Sequence, residues 1–160
     1  MSEQFHFFLK GHLSQWSKSP FIDGCGIQYK CAEQYMMYQK ARLFGDTESM
    51  NKILIEKSPS KQKALGRAVK NYDQKIWDIY KWDIVKTGNY LKFTQNPKHK
   101  ESLLATKGTL VECNASDQVW GIGLSEHDPR INERSEWRGM NLLGKILTEL
   151  REQLREKYEV

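Results

Sequence analysis

From Lys30 to Arg42 the chain runs without a glycine or proline and is rich in good helix formers, so the stretch reads as one helix. Ala32, Met36 and Leu43 fall at i, i+4 and i+11 with Tyr35 beside them, which makes a core stripe. Glu33, Met37, Lys40 and Phe44 recur at helical spacing on the adjoining strip. Glu33 and Lys40 thus stand two turns apart at the edge of a buried face, where an acid and an amine reach one small polar ligand. The competing reading of that pair is a surface Glu and a surface Lys.

Around this helix the pattern is mixed. Phe5 to Leu9 reads as a short aromatic strand, and Gly11 to Phe21 as a polar loop carrying Trp16. Asp23-Gly24-Cys25-Gly26 is a turn signal ahead of a second short strand, Ile27 to Tyr29. Gly45-Asp46-Thr47 ends the first helix, and a short helix is expected around Met50 to Leu54. Ser58-Pro59 opens the next, with Ser58 at the N-cap and Ala64, Leu65, Ala68 and Val69 as its buried face. A long helix is expected from about Asp73 to Thr94, burying Ile76, Trp77, Tyr80, Ile84 and Leu91. Asn96-Pro97 then starts another that ends near Gly108. Leu110 to Cys113 is strand-like, Asn114 to Asp117 a turn, and Val119-Trp120 a return strand, which predicts a hairpin near residues 109–121. Gly121 to Gly139 reads as a long polar loop, and Asn141 as the start of a last helix with Leu143, Ile146, Leu147, Leu150 and Leu154 on one face. The fold class is α+β, mostly helical, with a small sheet from the N-terminal strands and that hairpin. One domain over residues 1–160 is expected.

The net charge of +5 permits an anionic partner without demanding one, and the basic run from Lys57 to Lys75 reads as a solvated helix face. Cys25, Cys31 and Cys113 make no C-x-x-C and look like thiols in a reducing compartment. His6, His12, His99 and His127 have no metal-ligand spacing, so no metal and no cofactor is expected. Glu3 and the lack of a long apolar run argue against a signal peptide or membrane span, which predicts a cytoplasmic protein with no membrane partner.

Several pieces occur in a telling order. An aromatic strand precedes Leu13-Ser14-Gln15-Trp16, and Glu33-Gln34-Tyr35 is followed by Gln39-Lys40. Leu103 to Thr106 precedes Leu110-Val111-Glu112, then comes Asp117-Gln118-Val119-Trp120-Gly121-Ile122-Gly123. Gly139 to Gly144 and Leu150 to Leu154 close the series. Over nearly its whole length the chain resembles the YbiA-like, or NADAR, family of N-glycosidases. The resemblance implies a YbiA-like domain that cleaves a C–N glycosidic bond. Its substrates in the family are phosphoribosylated aminopyrimidine intermediates of riboflavin synthesis or, in another branch, ADP-ribosylated guanine in nucleic acid. It also implies catalytic roles for Glu33, Lys40 and Asp117, and substrate contacts at Ser14, Gln15, Trp16, Trp77, Trp120, Gly121 and Asn141. Relatives usually read Ser-Asn where this chain has Ser14-Gln15, a longer amide in that loop. A non-catalytic ADP-ribose or nucleotide reader is the alternative from another class.

Such a hydrolysis needs a proton for the leaving nitrogen, support for an oxocarbenium-like centre and an activated water, which two carboxylates can supply. Asp117 alone would more simply cap its own turn. Lys40 is either a fixed cation or a desolvated amine that attacks the sugar aldehyde. Trp77 is either a stacking face or a core residue, and Trp120 a pocket floor. Asn141 is either a plain N-cap or part of a phosphate seat, over which Arg130, Arg134 and Arg138 close; solvated loop charges are the simpler reading of those three.

Overall fold

The computed structural model describes residues 3–158. By its own contacts the chain divides into two compact units. One, the inserted unit, is residues 15–97; the other, the split unit, is built from the segments up to residue 14 and from residue 98 onward.

The inserted unit is organised on helix α1, Ala32–Leu43, against which α2 (Thr47–Ile55), α3 (Pro59–Arg67) and α4 (Gln74–Gln95) all pack. The expected stripe on α1 is wider than its spacing suggests, because every residue from Ala32 to Met37, together with Tyr38 and Ala41, is buried, while Leu43 is only half-buried. Two strands of two residues each, β2 (Phe21–Ile22) and β3 (Gln28–Tyr29), form an antiparallel hairpin. Asp23 shapes its turn. Its Oδ1 accepts the Cys25 and Ile27 N–H groups at 2.9 and 3.0 Å, and its Oδ2 accepts the Tyr29 hydroxyl at 2.8 Å. Ser58 caps α3 as expected, its hydroxyl accepting the Lys61 N–H, and Asp46 caps α2 in the same way.

Helix α1 begins with no side-chain cap from Cys31; the fully buried Gln34 reaches back instead, its Oε1 accepting the Lys30 N–H at 2.7 Å. Its Nε2 donates to the carbonyls of Ile53, Leu54 and Glu56, so one amide ties the start of α1 to the end of α2.

The buried strips of α3 and α4 differ from the expected ones. On α3 the buried residues are Gln62 and Gly66, while Ala64 and Ala68 are exposed; Val69, just beyond, is buried as expected. On α4 they are Trp77, Val85, Gly88, Asn89, Lys92 and Phe93, while Ile76 and Tyr80 point outward. Close approach decides this. A Cβ on Gly88 would lie 2.5 Å from the Tyr35 ring, and one on Gly66 would lie 1.9 Å from Met37 Sδ. Gly88→Ala is therefore expected to lower stability despite a helix-propensity gain of about 1 kcal/mol, because overpacking a buried ring costs about 1–3 kcal/mol. Gly66→Ala meets the flexible end of a methionine and should cost less. Urea midpoints of the two variants check the ranking.

Lys92 is fully buried, and burial pushes its ammonium down to about 7, with the nearby Cys31 opposing. In the unfolded chain the same group titrates near 10.4. Between about pH 7 and 10 the unfolded state thus holds a proton that the folded state has lost, and stability rises with pH by about 1.4 kcal/mol per unit from this group. Lys92→Met is expected to remove that part of the slope. Equal slopes for parent and variant in chemical denaturation across this range would refute it.

In the split unit, β1 (Phe5–Phe8) pairs in parallel with β4 (Thr109–Glu112), Phe5 opposite Thr109 and Phe8 opposite Glu112. The hairpin expected near residues 109–121 does not form. Val119 and Trp120 are in no strand, because the edge of β4 is taken by β1 and by Asn141. A short helix α5, Pro97–Leu104, precedes Gly108, whose φ of 81° turns the chain into β4. The last helix, α6 (Leu142–Tyr158), packs on β4 and buries Leu143, Ile146, Leu147, Leu150 and Leu154, the face expected of it. The segment 121–139 is not a loose loop. It holds two 3-10 turns, Pro129–Asn132 and Arg134–Glu136, and puts Ile122, Leu124 and Ile131 into a core with Val111 and Cys113. Among the described residues no helix is long and apolar enough to cross a membrane.

Candidate active site

In the inserted unit the site begins with Glu33, which lies in the first turn of α1 and is only 6% exposed. Its backbone N–H donates to the Gln15 carbonyl at 3.0 Å, so the loop carrying Gln15 and Trp16 is fastened to the start of α1. Lys40 follows two turns later and is half-buried. Its Nζ lies 4.6 Å from the centre of the Tyr72 ring and 5.7 Å from that of Trp77. Burial lowers the ammonium below the usual lysine range; the Glu33 carboxylate pulls it back up, and Arg67 adds to the lowering. The net direction is toward the neutral amine. Glu33 thus lies deeper than expected, and Lys40 in an aromatic notch.

Trp77 is 6% exposed, so its ring serves the packing around Lys40 and offers little open face. The aromatic with an open face beside Lys40 is Tyr72, 40% exposed, which sequence reasoning missed. It packs edge-on to Phe44, and its hydroxyl donates to Gln74 Oε1 at 2.7 Å. Its signal was available but faint: an aromatic between Asn71, whose φ is 63°, and Asp73, the N-cap of α4.

The Gln15 side chain turns to α4, where its Oε1 accepts the Asn89 Nδ2 at 2.9 Å. That amide also donates to Val85 O, while Asn89 Oδ1 is buried and meets no donor in the protein. Nothing in the spacing marks Asn89. Trp16 is 47% exposed.

In the split unit, Ser14 is half-buried and its N–H donates to the Gly11 carbonyl. Asp117 Oδ1 accepts the N–H groups of Val119 and Trp120 at 3.0 and 2.8 Å, and its carbonyl accepts the Gly123 N–H. The turn-holding role weighed for this carboxylate is what its contacts build. Trp120 is half-buried. Gly121 is buried, and a Cβ there would lie 3.0–3.1 Å from Glu112 O, Asn114 Cβ and Asp117 O, so its small size serves backbone packing.

Asn141 departs most from expectation. It is fully buried with φ 54°, and its Oδ1 accepts the Glu112 N–H while its Nδ2 donates to Leu110 O, each at 3.0 Å. The N–H groups of Asn141, Leu142 and Leu143 donate to the carbonyls of Gly121, Val119 and Trp120. The opening of α6 is therefore closed by protein carbonyls, and the phosphate seat expected there is not formed. Arg130 is held by Asp128 through two bonds of 3.0 and 2.7 Å, and Arg134 by Glu3, so neither is poised over a phosphate.

What the inserted unit presents is a buried carboxylate and a desolvated amine on one helix, with an aromatic face alongside. That set can transfer a proton and form a bond to an electrophilic carbon.

The model of the family described as "NADAR domain" matches residues 6–155, which draw on both units. The N-glycosidase R617 of Acanthamoeba polyphaga mimivirus is 47% identical over 146 residues, 88% of this chain and 86% of that one. The N-glycosidase YbiA of Escherichia coli strain K12 is 31% identical over 145 residues, 90% of this chain and 81% of that one. The solution structure of the E. coli protein YbiA superposes with a TM-score of 0.79 at 28% identity, covering 100% of this chain and 90% of that one.

Proposed function

This chain belongs to the NADAR domain family, and on that premise we propose that it is an N-glycosidase acting on a phosphorylated ribosyl–base conjugate, with Glu33 and Lys40 as its chemical pair. The observation that carries the reading is the Lys40 amine, drawn toward neutrality between Tyr72 and Trp77 on the same helix as the buried Glu33. Relatives that carry the name N-glycosidase support the reaction class.

In this reading Glu33, as the acid, gives its proton to the leaving base nitrogen as the C1–N bond breaks and its electron pair goes to nitrogen. The neutral Lys40 amine bonds to C1 and gives a proton to the Glu33 carboxylate; the C1–O4′ bond then breaks with its electron pair going to the ring oxygen, which takes that proton from Glu33 and leaves an iminium. Water adds to the iminium carbon, one of its protons passes to the Lys40 nitrogen and the other to the Glu33 carboxylate, and the C1–Lys40 bond breaks with its electron pair going to nitrogen, which restores the neutral amine and the protonated acid and releases the open-chain sugar. Tyr72 supplies a face for the base. Asp117 holds the turn of Val119 and Trp120 within its own unit.

The leading substrates are phosphoribosylated aminopyrimidines of the kind formed in riboflavin synthesis. The second reading, ADP-ribosylated guanine in nucleic acid, is favoured by the excess of positive charge in residues 15–97, which carry 14 Lys and Arg against 8 Asp and Glu. Purified protein is to be incubated with each substrate, with and without a chelator, and the released base and sugar separated by chromatography. Release from one of them at a rate indifferent to the chelator is expected. Release from neither would leave the non-catalytic reader as the better account.

A further inference from the structure

Helix α4 carries an apolar crest that the fold does not use. Its buried residues, Trp77, Val85 and Gly88 among them, lie along one side. At about 100° per residue, Ile79 falls almost opposite Trp77 and Gly88, and it is 69% exposed. Ile76 and Tyr80 flank it and are exposed as well, although their spacing is that of core residues. Single apolar side chains on a surface need no partner, but neighbouring ones on a single crest mark a surface for contact.

Charge says which partner fits. Lys75 and Asp83 are both exposed, one four residues before Ile79 and the other four residues after it. Each thus stands about 6 Å along the axis from Ile79, and the two are too far apart to meet on one helix. Among the described residues neither side chain has an ionic or hydrogen-bonded partner. The Asp78–Lys81 pair on the same helix is already closed on itself at 2.7 Å. A second copy of α4, laid antiparallel with its own Ile79 at the crossing, sets Lys75 of each copy level with Asp83 of the other. That arrangement is two-fold, with one patch serving both sides. An unrelated segment would need the same apolar centre with its charges in the reverse order, which this helix, turned end for end, already has. The carboxylates of Asp78 and Asp83 oppose an anionic lipid surface.

We propose that α4 is a self-association surface, on which two copies cross antiparallel at Ile79. Ile76 and Tyr80 pack around the crossing, and a Lys75–Asp83 pair closes it at each end. The apolar centre supplies the attraction, while exposed ion pairs add little strength and set register and partner. This surface asks nothing of Glu33 or Lys40, so it goes beyond the glycosidase reading. It does border the candidate site. Tyr72, the open aromatic beside Lys40, donates to Gln74 in the first turn of α4, so association brings the second copy up to that notch.

The test is sedimentation velocity of the intact protein from about 10 µM to about 1 mM, the range in which so small an interface associates. A dimer that grows with concentration is expected. Ile79→Asp changes an exposed side chain and should leave a monomer throughout. Lys75→Asp makes a copy with two carboxylates on the crest, and Asp83→Lys makes one with two ammonium groups. Each alone should weaken association at least about tenfold, because like charges then meet at both ends. An equimolar mixture of these two variants should dimerise as the parent does. So should the double variant Lys75→Asp, Asp83→Lys, in which the pairs are exchanged. Neither restoration follows from net charge or from damage to the fold. A parent that stays monomeric at about 1 mM overturns the proposal and leaves the crest to a different partner. A parent dimer unmoved by Ile79→Asp and by both charge reversals also overturns it, by placing the interface elsewhere. Failure of both the mixture and the double variant to restore association overturns the antiparallel pairing. The readout is mass alone, so no outcome here decides whether the protein releases a base.

Discussion

Glu33→Gln is expected to fold as the parent does and to lose roughly a hundred- to ten-thousandfold in turnover, the range for removal of a positioned acid or base. Glutamine keeps the shape and a carbonyl acceptor, so the buried first turn of α1 is not reopened, but it cannot carry the proton. The backbone bond from residue 33 to the Gln15 carbonyl is untouched by the change. Substrate affinity should therefore hold while the chemical step fails, a fall in kcat with little movement in KM. A folded Glu33→Gln protein with near-parental turnover would remove Glu33 from the mechanism.

The second large effect separates the two roles of Lys40. If the amine bonds to C1, borohydride added during turnover should fix the sugar on that residue, and mass spectrometry of the peptide spanning Lys40 should find the added mass. Lys40→Arg should trap nothing and lose at least about a hundredfold in rate, the lower end of what such a group supplies. Arginine keeps the charge but stays protonated and so cannot attack carbon. The direction of the pKa shift adds a pH test. Burial between Tyr72 and Trp77 lowers the amine's pKa, so the reactive neutral fraction grows as pH rises and appears at lower pH than for an ordinary lysine. Turnover should climb on that limb in the parent and be flat there in Lys40→Arg. Lys30, exposed near the amino end of the same helix, should not label. An active Lys40→Arg protein with no adduct in the parent would leave Lys40 as a fixed cation.

Elements whose cause is local were legible in the sequence. The Asp23 turn, the Ser58-Pro59 helix start and the leucine face of α6 each follow from residues within a few positions of one another. The Glu33–Lys40 pair belongs here too, since one helix sets its spacing. What was illegible depends on a partner distant in sequence. The buried strip of α4 carries Gly88, Asn89 and Lys92, which hydropathy sends to the surface; Tyr35 and the Gln15 amide bring the first two inward. Asn141 looks like any helix-opening asparagine until β4 supplies both partners for its amide. The return strand at Val119-Trp120 fails for a related reason: β4 already had a neighbour, and that neighbour was the first strand of the chain.

That parallel pairing has a consequence for synthesis. Phe5 meets Thr109, so about a hundred residues must leave the ribosome before β1 has a partner. The inserted unit has no such wait. Gln95 clasps Ile22 through both its amide atoms, and Asn96 Nδ2 donates to Pro20 O, so its late residues close back on its early ones once residue 96 is made. The order of emergence thus leaves Phe5-His6-Phe7-Phe8, an aromatic strand with an unpaired edge, waiting beside a finished helical body. Slowing translation between residues 97 and 109 would lengthen that interval, and the nascent chain would then be most prone to strand-to-strand association through Phe5–Phe8.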